Sequence, residues 1–181
     1  MTQMRLSRAL LALIVAALGF EIGAGLYEAL VLVPLWSGAP PDSIVTYNLQ
    51  ALRPEPGLHF WIVSTPLVGA LAFANLIASW RSRSPHRAWW LMGSAAALAV
   101  VVVTFLYFVP EISAFSAAAT VATPDLATRV SRWVFLNWVR AAIYLGAWVS
   151  LAYVFGQGAE QFRVKGFSVG ENLRTANGGE G

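Results

Sequence analysis

Along the chain, apolar residues gather into four long continuous runs, over about 6–36, 57–80, 88–109 and 130–155. A single apolar stripe marks a helix lying on a soluble core, whereas a segment that is apolar all round needs an apolar environment on every side. Each run meets or exceeds the ~20 residues with which an α-helix crosses the hydrocarbon layer of a bilayer. The runs are rich in Ala, Leu and Val and lack the alternating segments of about 10 residues that build membrane barrels. The pattern therefore predicts an all-α fold, a four-helix transmembrane bundle over residues 1–157. Residues 158–181, with Gly, Asn and Glu but no apolar period, are expected to form a mobile cytoplasmic tail.

The intervals between the runs carry their own signals. Pro40, Pro41, Asp42 and Ser43 form a helix start followed by Ile44, Tyr47, Leu49 and Leu52, which predicts a short interfacial helix in the first outer loop. Pro110 falls at the outer end of the third run, yet 112–122 stays apolar, so the third helix is expected to kink there and extend beyond the membrane surface. Pro124 and Asp125 then open the fourth helix. The first twenty residues have the basic start and apolar core of a signal peptide. Hydrophobicity resumes after Glu21 and runs on to Trp36, which favours an uncleaved first helix.

Composition sharpens this picture. With 57% hydrophobic and 12% charged residues, the chain lies well outside the range of soluble domains. It has no cysteine, which excludes disulfides and thiolate metal sites. The net charge of +3 comes from basic residues flanking the spans and not from a stripe with interleaved aromatics, so nucleic acid is not an expected partner. Arg5 and Arg8, then Arg81, Arg83 and Arg87, then Arg163, Lys165 and Arg174 mark one membrane face. The positive-inside rule makes that face cytoplasmic, with both termini on it, in a multi-pass protein of a bacterial-type inner membrane. Trp36, Trp80, Trp89, Trp90 and Trp133 are expected in the interfacial belts.

Within the spans three ionisable residues stand out: Glu21, Glu28 and Arg140. Each costs roughly 2.5 to 3.5 kcal/mol on insertion scales and is expected to face the bundle interior with a partner. Glu21 and Glu28 are two turns apart on one face of the first helix. Arg140 falls near the middle of the fourth helix, with Asn137 and Tyr144 one turn to either side. His59 lies near the outer mouth of the second helix, and Tyr107 and Glu111 near that of the third. The cytoplasmic half offers little beyond Asn75 and Glu21. All four helices thus contribute polar groups to the outer half of one bundle, with Tyr27, Phe60, Trp61 and Trp138 among the aromatics nearby. One reading is a pocket open to the outer leaflet; the other is a set of interhelical pairs that only hold the bundle together.

The first helix reads Gly23-Ala24-Gly25-Leu26-Tyr27-Glu28 and continues through Val33-Pro34-Leu35-Trp36. The third ends Tyr107-Phe108-Val109-Pro110-Glu111, and the fourth carries Trp133, Asn137 and Arg140 in the pattern Trp-x-x-x-Asn-x-x-Arg. This arrangement resembles the anthrone-oxygenase-like family of small four-helix membrane proteins, over about residues 10–155. The resemblance implies a membrane oxidoreductase, a monooxygenase that converts a reduced polycyclic aromatic to its quinone. His59 or Glu28 would then act as the base, and Arg140 with Asn137 would hold the oxyanion. Tyr27, Phe60, Tyr107, Glu111, Trp138 and Tyr144 would line the substrate site.

No cofactor is strictly required by such chemistry, and the sequence specifies none. Its partners would be the bilayer and an apolar small molecule or lipid. Two other classes compete: a non-catalytic accessory subunit of a membrane complex, and a haem- or metal-binding membrane protein using His59, alone or with Glu28 and Glu111. Association into a homo-oligomer is compatible with all three.

Overall fold

The computed structural model describes residues 2–50, 56–121 and 123–177, with side chains described within 6–48, 60–115, 117–119 and 123–157. Among them there is no strand. Helix α1 (Thr2–Tyr27) passes through a π turn (Glu28–Leu32) directly into α2 (Val33–Ser37). Helices α3 (Asp42–Gln50) and α4 (Pro56–Arg81) follow. Helix α5 (Arg87–Val103) runs through a second π turn (Thr104–Phe108) into α6 (Val109–Val121), and α7 covers Leu126–Asn177. Four stretches are long and apolar enough to cross a membrane: Leu6–Ser37, Phe60–Arg81, Arg87–Ala119 and Leu126–Gln157. They are the first to fourth spans. The fourth helix keeps its backbone form to Asn177, beyond the end of the apolar pattern.

Both π turns have the same cause. Proline has no N–H and its ring crowds the carbonyl four residues earlier. Pro34 and Pro110 each follow a π turn by two residues, and the residue between bonds five back: Val33 N–H to the Glu28 carbonyl, Val109 N–H to the Thr104 carbonyl. Widening the turn in this way re-pairs backbone groups that a bilayer would leave unsatisfied. It keeps both helices continuous, the third in place of the kink expected at Pro110, and it makes Glu28 and Thr104 the first residues of widened turns.

The spans pack in a ring, with α4 against α1 and α5, and α7 against α1 and α5. Two apolar cores are stacked along the bundle. One is built from Leu11, Ile14 and Leu18, Val68 and Ala72, Trp90, Ala97 and Val100, and Ala147 and Leu151. Within it α5 and α7 come close: a Cβ on Gly93 would sit 2.9 Å from Leu151 Cγ and 3.1 Å from the Ala147 carbonyl oxygen. The second core joins Val33 and Trp36, Ile44 of α3, Phe108, Phe115 and Ala119, and Leu126, Val130 and Trp133. The interfacial helix and the extension of the third helix, both expected from the pattern, pack together there, since α3 lies against α6. Ser43 fixes the entry to α3 by donating its hydroxyl to the Trp36 carbonyl at 2.6 Å.

Three tryptophans expected in the belts are core residues instead. Trp36 and Trp133 meet edge-on at 5.4 Å, and the Trp133 indole N–H donates to the Phe108 carbonyl at 3.2 Å. Trp90 donates to Asn75 Oδ1 at 3.1 Å. The Trp90 and Trp133 indole N–H groups thus have protein partners, which removes the reason for these two to stay at the wet interface, and Trp36 is held by ring contacts with Trp133 and Phe115. Trp80 and Trp89 are exposed, as a belt requires.

Candidate functional site

Along every span polar residues fall between the inner core and the outer end, apart from Asn75, Ser79 and Ser94, which are buried within the inner part of the bundle. On the first span the inner core ends at Leu18 and the outer begins at Val33; Glu21 and Glu28 lie between. On the second, Ser64 and Thr65 lie outward of Val68. On the third, Thr104 separates Val100 from Phe108, and on the fourth Asn137 and Arg140 separate Trp133 from Tyr144. A polar layer is thus enclosed between two apolar ones, in the low-dielectric setting where charges act most strongly on one another.

The Arg140 guanidinium organises this layer. Nη1 makes a long contact of 3.5 Å to Thr104 Oγ1, and the Thr104 hydroxyl donates to the Val100 carbonyl at 2.8 Å. The guanidinium carbon lies 4.5 Å from the centre of the Phe108 ring, within the range of cation–π attraction. Its charge interacts with Glu28 most strongly, then with Tyr144 and Glu21. Tyr144 in turn interacts with Glu21 and Arg140. Of the sequence candidates, Glu28 of the first span and Tyr144 of the fourth are within electrostatic reach of Arg140, and Asn137 lies one turn before Arg140 on the same helix.

Glu21, grouped with the cytoplasmic half in the sequence reading, joins the same layer. It is only 4% exposed and accepts a 3.4 Å bond from the Thr65 hydroxyl. Ser64 approaches the same carboxylate, but its Oγ makes no geometrically sound hydrogen bond. Its seven-residue spacing from Glu28 is the signal that could have included it. Thr65 and Thr104 carried no signal, because a lone threonine in a span is unremarkable until its neighbours are known.

Three atoms of the layer have no partner among the described residues: Ser64 Oγ, and Asn137 Oδ1 and the Tyr144 hydroxyl on residues 4% and 6% exposed. Leaving such groups unpaired costs about 1–3 kcal/mol each, so they mark positions where a polar ligand atom would be favourable. The roof above them is aromatic: Phe108 and Trp133 meet at 5.5 Å, and Trp36 and Phe115 at 6.1 Å. Trp133, Asn137 and Arg140, spaced at i, i+4 and i+7 on one helix face, supply the roof, a free amide acceptor and the cation.

The remaining sequence candidates lie elsewhere. Tyr107 and Glu111 line a separate outer cleft of about 260 Å³ with Asp125, Thr128, Arg129 and Arg132. Glu111 is held there by a forked pair of bonds from Arg129 at 3.1 to 3.2 Å. Tyr27 and Trp138 are exposed on the outside of the bundle. Phe60 meets Trp61 edge-on at 4.9 Å and lines an apolar groove between α1 and α4. The His59 side chain lies outside the described residues. Among those described, no three His or carboxylate groups come together as a metal site.

Residues 58–150 match the anthrone oxygenase family, a stretch of just over half the 181 residues. The chain belongs to the anthrone oxygenase family. No curated protein and no solved structure gives a match. The stretch shared with the anthrone oxygenase family holds the second and third spans and most of the fourth, with Thr65, Thr104, Asn137, Arg140 and Tyr144. Glu21 and Glu28 precede it.

Proposed function

We propose that this chain is a membrane oxygenase that oxidises the acidic methylene of a reduced polycyclic aromatic to a carbonyl, within the polar layer around Arg140. The observation that carries the reading is the placement of a guanidinium between apolar cores, with two carboxylates in electrostatic reach and two unpaired polar atoms beside it. Family membership supplies the reaction class.

A methylene between aromatic rings and conjugated to a ketone loses a proton to give an enolate. In this reading Glu28 takes the proton, in the role of a general base. The negative charge moves to the ketone oxygen, where Arg140 and the unpaired Tyr144 hydroxyl donate to it in a dry site, with the Asn137 amide N–H as a further donor. The electron-rich carbon reduces dioxygen and forms a C–O bond, and the peroxide is protonated. Loss of the second C–H proton with cleavage of the O–O bond leaves the carbonyl and releases water. One oxygen atom of dioxygen enters the product, and the other leaves with both hydrogens. The substrate is apolar and resides in the bilayer, on which the spans open directly. The basic loops orient the chain with both termini in the cytoplasm.

The test is conversion of anthrone by the purified protein in lipid nanodiscs. One dioxygen should be consumed per anthraquinone formed, at a rate well above the protein-free control. Arg140→Met should lower kcat/KM by about 10²–10³, the scale for removal of an oxyanion-stabilising donor, while the folded yield is maintained. A wild-type protein that does not exceed the control contradicts the function. Loss of assembly in Arg140→Met without loss of specific activity in the folded fraction would assign the arginine to packing and favour the accessory-subunit reading.

A further inference from the structure

Between α1 and α4 a groove of about 260 Å³ opens on the outer surface of the bundle, lined by Ala17, Phe20, Phe60, Val63, Leu67 and Val68, with one polar residue, Ser64. Phe20, Val63 and Leu67 are exposed, so in a membrane their side chains face the acyl region. The Ser64 hydroxyl oxygen is buried and has no hydrogen-bond partner. Behind it stands the Glu21 carboxylate, buried, bonded to Thr65 and in electrostatic contact with Arg140 and Tyr144. The groove therefore leads from lipid, along apolar walls, to a single polar head that belongs to the layer around Arg140.

We propose that this groove is a lateral port and binding site for an apolar aromatic bearing a ring hydroxyl, admitted from the bilayer with its hydroxyl meeting Ser64 and Glu21. An acyl chain would fill the walls but leave Ser64 unpaired, whereas a phenolic hydroxyl satisfies it. The size agrees, since an apolar cavity of about 150 Å³ holds benzene and this one is larger by roughly the volume of further fused rings. In this geometry the phenol O–H donates to the Glu21 carboxylate and its oxygen accepts from the Ser64 hydroxyl. Glu21 thereby positions the ligand, leaving Glu28 and Arg140 to the reacting carbon and ketone. The inference rests on the function proposed above for its substrate class, but its test uses binding alone.

The probes are 2-hydroxyanthraquinone, whose hydroxyl is out of reach of its own carbonyl, and anthraquinone; both lack the reactive methylene and are titrated into the nanodisc-embedded protein. Ser64→Ala should weaken 2-hydroxyanthraquinone about tenfold and leave anthraquinone unchanged, as expected for one hydrogen bond to a buried group. Leu67→Trp, which fills the groove from its exposed wall, should weaken both by tenfold or more. Equal binding of the two probes by wild type, or wild-type affinity in both variants, overturns the port, and so does failure of the wild type to bind either. If anthrone turnover persists while the port fails in this way, the function stands without it. If probes bind as expected but no turnover occurs, the port stands and the reaction falls.

Discussion

Asn75 shows what a polar residue in a span looks like when its role is structural. It is fully buried, its amide donates to the Leu10 and Leu71 carbonyls at 3.0 and 2.9 Å, and its oxygen accepts from Trp90. Every bond is made, and three spans are tied together. The layer around Arg140 differs: its contact to Thr104 is long, and the Asn137 and Tyr144 oxygens are unpaired. Asn75→Leu should destabilise the protein by about 1–2 kcal/mol, near the upper end for interhelical hydrogen bonds in membranes. It should lower the thermal unfolding midpoint in detergent without changing turnover per folded molecule. An unchanged midpoint would show that this hub contributes nothing.

At the scale of elements, the four spans were legible because membrane helices announce themselves by length and hydropathy alone. The interfacial helix was legible from Pro41-Asp42-Ser43. The π turns were not, since the prolines that cause them are equally compatible with a kink, and only the register of the backbone decides between the two. Trp36, Trp90 and Trp133 leave the belts because composition reveals neither which indole N–H finds an internal partner, as at Trp90 and Trp133, nor which ring packs into an aromatic cluster, as at Trp36.

Glycine lets helix backbones approach closely, and the first and second spans carry Gly19, Gly23, Gly25 and Gly69. Gly69 does sit close, with its Cβ position 3.1 Å from Val101, but Gly23 has nothing within 4 Å. The closest approach is at Gly93, in the third span. Gly93→Ala would press on a backbone carbonyl and on Leu151, so it should cost about 1–3 kcal/mol through overpacking. Chemical denaturation in mixed micelles should read it. Gly23→Ala serves as the control, with no loss expected.

For the whole molecule, the sequence pointed to Glu28 and Arg140 because an ionisable group within a span must turn inward and find company, and the two are within electrostatic reach of each other. That argument is general and does not say which groups become neighbours. It failed to separate Glu111, which Arg129 holds in an outer cleft, from the layer between the cores, because depth along a helix does not give its rotation. Counting residues puts Glu21 at the edge of the cytoplasmic half, whereas its place on one helix face with Glu28 and its electrostatic contact with Arg140 put it in the layer.

The central claim is that Glu28 and Arg140 act as one unit on one substrate. A double-mutant cycle on anthrone turnover tests it most directly, with Glu28→Gln, Arg140→Met and the double variant compared at equal folded concentration. Residues that serve the same step are strongly non-additive. The account predicts that each single variant loses about 10²-fold or more in kcat/KM and that the double variant is scarcely worse than the poorer single one. Losses that multiply, or a Glu28→Gln variant with wild-type turnover, would contradict it.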